Sequence, residues 1–136
     1  MPLLYIGVEY CLTNNSKYAE KFFHQSLEIA PEDPYVLHEL GVTCFQNNKY
    51  DRRSSNSTCF FLNSNIVYSF TDAEIYFIKA LNHVRQAHSS DARQAKHYQQ
   101  KLIMSPHWES LLNNLGHTSR KLGKYDEALK YHTQVR

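Results

Sequence analysis

The side chains in this sequence that could bind a metal ion or perform catalysis are eight histidines and three cysteines. A zinc site needs such ligands at short, regular spacings, either on one helix face or in paired loops. His83 and His88 are five residues apart, which places them poorly on one helical face, while His97 and His107 have no cysteine pair near them. We therefore expect surface or packed histidines, no metal site and no other cofactor.

No motif in the sequence is typical of an enzyme. There is no glycine-rich phosphate loop, no nucleophile elbow and no Cys–His arrangement for nucleophilic catalysis. The chain has three cysteines, at positions with no regular spacing: Cys11, Cys44 and Cys59. An odd number without a pattern disfavours a disulfide framework and fits a reducing compartment. We predict that the chain is not an enzyme.

Length and composition indicate one globular domain. The chain has 136 residues, of which 42% are apolar and 21% charged, enough for a modest core and too apolar for full disorder. No apolar run approaches the roughly 18 residues of a membrane-spanning helix. The first residues carry no basic region of the kind that begins a signal peptide. These features predict a soluble intracellular protein that does not bind membranes.

The net charge of +2 is unevenly distributed along the chain. Residues 1–50 sum to −3, residues 51–78 to −1 and residues 79–136 to +6. A nucleic-acid-binding protein could have this distribution, and so could a helical repeat with one solvated basic face. Aromatic residues are not interleaved with the basic ones, so we favour the solvated face and predict no nucleic-acid partner.

An internal repeat organises the elements that position these side chains. Gly7 and Gly41 are 34 residues apart within similar local sequences, and Gly116 lies in a third copy. A period of 34 is that of the tetratricopeptide repeat, in which each unit is a pair of antiparallel helices. The sequence therefore predicts an all-α tetratricopeptide-repeat superhelix, present as a partial solenoid.

Small and aromatic residues recur at fixed positions of the repeat. In the first unit, the small residues Gly7 and Ala19 predict that the two helices cross closely there. Tyr10 and Phe23 are predicted to fill the space between successive helices. Across the three copies, the predicted repeat-packing residues are Gly7, Tyr10, Ala19, Phe23, Gly41, Ala73, Phe77, Gly116 and Ala128.

The predicted organisation has four parts. Residues 1–34 form one repeat unit, and residues 35–85 form a second unit that a disordered insertion at 51–70 interrupts. Residues 86–107, rich in Ala, Gln, Lys and Arg, form a helical extension. Residues 108–136 form a third unit truncated in its second helix, so we expect the chain to be a fragment of a longer solenoid.

The insertion has two interpretations. It is rich in Ser and Asn and then apolar without a helical period. It could be a binding loop, or it could be an unstructured excursion such as a translated intron. It interrupts the second unit at one clean point, between Tyr50 and Thr71, and this favours the second interpretation.

The first helices of stacked repeat units line the concave face of a superhelix. Their inward positions change from apolar in the first unit to polar and basic in the third, which suits an extended peptide with apolar residues at one end. Some of these residues could instead pack only against neighbouring units. The candidate peptide-groove residues are Leu4, Val8, His38, Val42, Phe45, Asn113, Asn114, His117, Arg120 and Lys121.

Four strings carry a closer resemblance, because they contain residues that the repeat itself does not require. They are residues 5–10 (YIGVEY), 12–17 (LTNNSK), 30–34 (APEDP) and 108–117 (WESLLNNLGH). With them the chain resembles the cell division cycle protein 16 family, the tetratricopeptide scaffold subunits of the anaphase-promoting complex. The similar segments, 5–50, 71–81 and 108–135, contain 85 of the 136 residues.

The resemblance implies a non-catalytic subunit of a multi-subunit ubiquitin ligase that acts in mitosis, in the nucleus and cytoplasm. Such a subunit holds other subunits of the complex, and its groove takes the N-terminal segment of a small accessory subunit. The groove positions that match here include Asn113, Asn114 and His117. The alternatives are a generic peptide-binding adaptor outside that complex and a basic-face nucleic-acid-binding protein.

Overall fold

A computed structural model describes residues 2–54, 62–91 and 108–135, with side chains described for 2–47, 70–87 and 108–135. Within these ranges the secondary structure is helical. The helices are α1 (Pro2–Leu12), α2 (Ser16–Ile29), α3 (Pro34–Ser54), α4 (Leu62–Asp91), α5 (Glu109–Lys121) and α6 (Tyr125–Gln134).

The helices pack as three pairs. Helices α1 and α2 form unit 1, α3 and α4 form unit 2, and α5 and α6 form unit 3. Successive units meet where α2 packs on α3 and where α4 packs on α5. The predicted all-α solenoid of helix pairs is therefore confirmed.

Each pair crosses with an aromatic ring over a glycine. A Cβ atom placed on Gly7 would lie 2.7 Å from Cδ1 of Phe23, and one on Gly41 would lie 2.5 Å from Cε1 of Phe77. In unit 3 the ring of His132 covers Gly116 in the same way. The ring of Phe23 thus lies between α1 and α2, and it also belongs to the core cluster that contains Val36 and Leu40 of α3.

Tyr10 likewise makes its ring contacts inside unit 1. It stacks on Tyr18 and Phe22 of α2, with centroid distances of 5.5 and 5.4 Å. It also packs, half-buried, against the core that units 1 and 2 share. Tyr10 therefore contacts the next helix, α2, and also packs on the cluster that contains residues of α3.

The core lies between units as well as within them. One cluster joins α2 to α3 through Ala19, Phe23, Val36 and Leu40, all nearly inaccessible to solvent. A second cluster joins unit 2 to unit 3. Its members are Leu37, Ala73, Phe77, Ala80, Leu81, Leu111, Leu112 and Leu115. Each unit therefore completes its apolar face with residues of its neighbour, as expected for a solenoid.

The predicted disordered insertion at 51–70 is wrong for most of its length. Helix α3 continues to Ser54 and α4 begins at Leu62. Of the predicted insertion, residues 55–61 lie outside the described residues. Adding a residue to an existing helix avoids the cost of nucleation, and Ser and Asn cost only about 0.5 kcal/mol relative to Ala. Phe70 is buried against Phe45, with ring centroids 5.3 Å apart, so packing begins before the predicted start at Thr71.

The predicted extension over residues 86–107 is helical as far as it is described. Helix α4 runs without a break to Asp91. Residues 92–107, with His97 and His107, lie outside the described residues, and so does Cys59.

The turns of units 1 and 3 share a left-handed residue, whose counterpart in unit 2 is helical. Asn14 has φ 60° and Gly123 has φ 79°, and each stands two residues before the second helix of its unit. Gly and Asn are the residues that adopt this conformation most readily. The corresponding residue of unit 2 is Asn48, which lies inside α3. At this position, therefore, unit 2 has helix where units 1 and 3 have a turn.

Replacing Ser26 by alanine is expected to stabilise the full chain by about 1 kcal/mol, since a buried hydroxyl without a partner costs that much or more. Ser26 is 1% exposed, and its Oγ has no hydrogen-bond partner among the described residues. Ala80 occupies the same position in unit 2, so Ala80→Ser is the matched control and should destabilise the chain. Urea unfolding measures both changes, and a lower midpoint for Ser26→Ala would contradict the prediction.

Candidate interaction surface

The first helices of the three units, α1, α3 and α5, lie side by side. Between α1 and α3, Sγ of Cys11 is 3.2 Å from Oγ1 of Thr43. Between α3 and α5, the rings of Tyr35 and Trp108 approach to a centroid distance of 4.9 Å. We call the surface formed by α1, α3 and α5 the first-helix face.

The ten candidate groove residues all lie on these helices, at different depths. Leu4 and Val8 pack, half-buried, against the core between units 1 and 2. Val42 and Phe45 pack in the same way against the core between units 2 and 3. The apolar end of the predicted groove is thus partly used in holding the solenoid together.

The structure joins two of the candidates directly. Nδ2 of Asn114 is 3.1 Å from Nε2 of His38, and Nδ1 of His38 is 3.2 Å from Oε1 of Glu39. The amide nitrogen of Asn114 donates, so Nε2 of His38 is the acceptor in this contact and Nδ1 lies against the Glu39 carboxylate. The pair ties α3 to α5 and leaves the amide oxygen of Asn114 outside this contact. Asn113, the neighbouring candidate, is half-buried.

The end of the first-helix face at α5 is basic. Arg120 and Lys121 are exposed in the last turn of α5. His117 is exposed one turn earlier, and its ring meets His132 edge-on at 5.1 Å. Two permanent positive charges on adjacent exposed residues suit an acidic side chain or a carboxylate of a partner.

A cleft of about 490 Å³ lies between the turn of unit 1 and α3 of unit 2. Its walls include Cys11, Asn14, Glu20, Gln46 and Asn47. The half-buried Glu20 uses Oε1 to accept a hydrogen bond of 3.1 Å from Nδ2 of Asn47. The sequence did not predict this site, although the alanine before Glu20 marks the same repeat position as the alanine before Glu74.

The thiols beside the cleft are held in their protonated form. Burial, aided by the carboxylates of Glu39 and Glu20, raises the pKa of Cys11 against the opposing effect of its hydrogen bond with Thr43. Burial, aided by Glu20 and Asp72, raises the pKa of Cys44 to about 12. A thiol in this state is a poor nucleophile.

An ion pair between a buried carboxylate and a partly exposed lysine joins units 2 and 3. Nζ of Lys124, in the turn before α6, lies 2.7 and 2.9 Å from the two carboxylate oxygens of Glu74. The Glu74 side chain is 8% exposed and that of Lys124 is 46% exposed. The carboxylate of α4 is therefore neutralised by a cation from the next unit.

The described part of the chain contains neither a cluster of metal ligands nor a membrane-spanning helix. Among residues 2–54, 62–91 and 108–135, no three His, Cys, Asp or Glu side chains come together as a metal site would require. No helix in these ranges combines the length and apolar character needed to cross a bilayer.

Repeated helix pairs, each with a ring packed over a glycine, define a tetratricopeptide-repeat protein. The sequence model of the tetratricopeptide repeat matches residues 111–135.

The similarity also extends to particular proteins. Over 135 residues, or 99% of the chain, the sequence is 43% identical to the cell division cycle protein 16 homologs of Homo sapiens and Mus musculus. It is 30% identical, over the same length, to anaphase-promoting complex subunit 6 of Arabidopsis thaliana. The chain spans 17 to 18% of the length of these relatives. The resemblance to the cell division cycle protein 16 family is thus confirmed.

Proposed function

We propose that this chain is a non-catalytic scaffold for protein–protein interaction within an anaphase-promoting complex, supporting ubiquitin-dependent proteolysis in mitosis. The observation that carries the proposal is the 43% identity over 99% of the chain to cell division cycle protein 16 homologs. Relatives in other organisms are named as subunits of that complex. The proposed locations are the nucleus and cytoplasm.

The non-catalytic role is supported by the state of the described thiols. Cys11 and Cys44 both have a raised pKa, because burial and nearby carboxylates disfavour the thiolate. Ubiquitin transfer by a cysteine needs the thiolate as nucleophile. The surface is better suited to holding partners than to covalent chemistry.

The proposed partners are other subunits of the complex, including the N-terminal segment of a small accessory subunit on the first-helix face. That face offers half-buried apolar side chains at Leu4 and Val8 and exposed basic ones at Arg120 and Lys121. An extended segment can cross all three helices while presenting apolar side chains at one end and acidic groups at the other.

Affinity purification of the tagged full chain from dividing cells tests the proposal. We expect several subunits of the anaphase-promoting complex to be recovered and identified by mass spectrometry. Recovery of unrelated partners with none of these subunits would overturn the proposal and favour a peptide-binding adaptor outside the complex.

Reversing the charge at the basic end is expected to weaken partner binding about tenfold, because like charges at an interface oppose association. The variant is Arg120→Glu with Lys121→Glu, both exposed on α5. The matched control is Lys21→Glu with Lys79→Glu, exposed residues of the second helices α2 and α4. Recovery of subunits in the same purification measures both, and equal losses would show that net charge, rather than this face, controls binding.

A further inference from the structure

Units 1 and 2 carry a glutamate at the same position of their second helices. Glu20 follows Ala19 in α2, and Glu74 follows Ala73 in α4. Both alanines are fully buried, so the two second helices are in the same register with respect to their first helices. Both carboxylates contact the next unit several residues after its glycine, Glu20 at Asn47 and Glu74 at Lys124.

Glu74 shows what this position binds. Its two oxygens receive the Lys124 ammonium at 2.7 and 2.9 Å, and the pKa of Lys124 is raised by that hydrogen bond. The lysine comes from the turn of unit 3, eight residues after Gly116. The site is thus a lysine-ammonium site between successive units.

Glu20 lacks such a cation among the described side chains. Its one hydrogen bond there is from the neutral amide of Asn47, which orients the carboxylate without neutralising its charge. Lys17 also lines the cleft, three residues earlier in α2, but it forms no ion pair with Glu20. The cleft of about 490 Å³ opens beside the carboxylate.

The inserted residues explain this difference. The residue equivalent to Lys124 in unit 2 is Lys49, eight residues after Gly41. Lys124 lies in the turn before α6, whereas residue 49 lies within α3, which continues to Ser54. The backbone that presents the ammonium to Glu74 in unit 3 is therefore replaced in unit 2 by helix.

We propose that the cleft between units 1 and 2 binds a lysine side chain of a partner protein, whose ammonium takes at Glu20 the place that Lys124 takes at Glu74. The inference rests on the proposed scaffold function, which supplies the partner. Gln46 and Asn47 provide further polar groups on the wall opposite α2.

Nuclear magnetic resonance on the ¹⁵N-labelled full chain tests this site. The probe is the peptide acetyl-Gly-Lys-Gly-amide, and its control is the same peptide with norleucine, which keeps the alkyl chain without the ammonium. We expect saturable shifts at the backbone amide of Glu20 and the side-chain amide of Asn47, with at least fivefold weaker binding of the norleucine peptide.

Glu20→Gln should weaken binding of the lysine peptide at least fivefold and leave that of the norleucine peptide unchanged. Glu28→Gln is the matched control, because Glu28 is an exposed acid of the same helix outside the cleft. Equal binding of the two peptides, or full lysine binding by Glu20→Gln, would overturn the proposal.

A third variant, Lys49→Gln, tests whether the chain fills its own site. Lysine-peptide binding that appears only in this variant would mean that Glu20 is already satisfied within the chain, and the proposal would be wrong. Binding of similar strength with and without Lys49 supports it. Subunit recovery in the affinity purification is a separate readout, so failure here leaves the scaffold function standing.

Discussion

Replacing Gly41 by valine is expected to destabilise the chain by about 3 kcal/mol, at the upper end of the usual cost of overpacking. A Cβ atom on Gly41 would lie 2.5, 2.7 and 2.9 Å from three ring atoms of Phe77. Real Cβ contacts are not this short, so either the ring or the helices must move. Valine adds two methyl groups to the same space.

The ring of Phe77 has little room to move. It is fully buried, and the ring of His38 lies on it with a centroid distance of 5.7 Å. The same ring belongs to the cluster that joins unit 2 to Leu111 and Leu112 of unit 3. Widening the crossing of α3 and α4 would therefore disturb the contact with the next unit as well.

Urea unfolding of the full chain, followed by circular dichroism, measures the change. With a slope of about 2 kcal/mol per molar, the midpoint should fall by about 1.5 M. Lys79→Val is the control, an exposed position of α4 where valine should change stability by about 0.5 kcal/mol or less.

The double variant Gly41→Val with Phe77→Leu identifies the cause. If the clash is between the new side chain and the ring, the two changes together should cost less than the sum of their separate costs. Additive costs, or a loss below about 1 kcal/mol for Gly41→Val alone, would show that the helices separate easily at this crossing.

The repeat architecture could be predicted from the sequence because close helix crossing restricts residue type. Gly7, Gly41 and Gly116 lie where a ring of the second helix leaves no space for a Cβ atom. In unit 3 the ring is that of His132 instead of a phenylalanine, and the glycine still marks the register of the repeat. The pattern survives substitution because space, more than identity, is what the fold requires.

The helical character of residues 51–54 and 62–70 could not be predicted in the same way. Their Ser and Asn content has weak helix propensity and no amphipathic period. What sustains helix there is attachment to segments of α3 and α4 that are already packed, such as the part of α4 anchored by Phe70. Attachment of this kind depends on tertiary contacts and leaves no local signal.

The cleft beside Glu20 was missed for a related reason. The first-helix face follows from the repeat alone, but the cleft depends on helix replacing the turn at Asn48. The pairing of Glu74 with Lys124 joins residues 50 apart in sequence, so it too required the structure. Aligning the units would have placed Glu20 and Glu74 together, although it would not have shown which of them holds a cation.

Replacing Lys124 by methionine is expected to destabilise the chain by about 2 kcal/mol, because it leaves a buried carboxylate unpaired. Glu74 is the buried partner, with 8% of its side chain exposed. Loss of one member of a fully buried pair costs about 3–5 kcal/mol, and the lower value here reflects solvent screening of the 46% exposed lysine. Methionine keeps most of the alkyl chain, so packing changes little.

The loss should depend on pH in a defined direction. The hydrogen bond to Glu74 raises the pKa of Lys124 above its ordinary value of 10.5. A raised pKa of a base means that the folded state binds the proton more tightly, so the stabilisation is complete below 10.5 and is lost as pH rises through the raised pKa. The stability difference between the natural chain and Lys124→Met should therefore be constant near neutral pH and shrink above 10.5.

Two tyrosines titrate in the same alkaline range. Burial raises the pKa of Tyr76 and Tyr131, so their contribution is also lost as pH rises. Tyr76 contributes equally in the natural chain and in Lys124→Met. The pKa of Tyr131, however, is also lowered by the charge of Lys124. Glu74→Gln keeps the influence of Lys124 but removes that of Glu74, which raises the pKa of Tyr131, so the two single variants displace this pKa in opposite directions.

The double variant Glu74→Gln with Lys124→Met separates loss of attraction from the cost of an unpaired charge. If the main cost is the buried carboxylate left alone, the double variant should be more stable than Lys124→Met, since an amide is cheaper to bury than an ion. Urea unfolding at neutral and alkaline pH measures all four proteins. A double variant less stable than Lys124→Met would show that the buried position tolerates an unpaired carboxylate, with the stabilisation arising from the contacts of Lys124 itself.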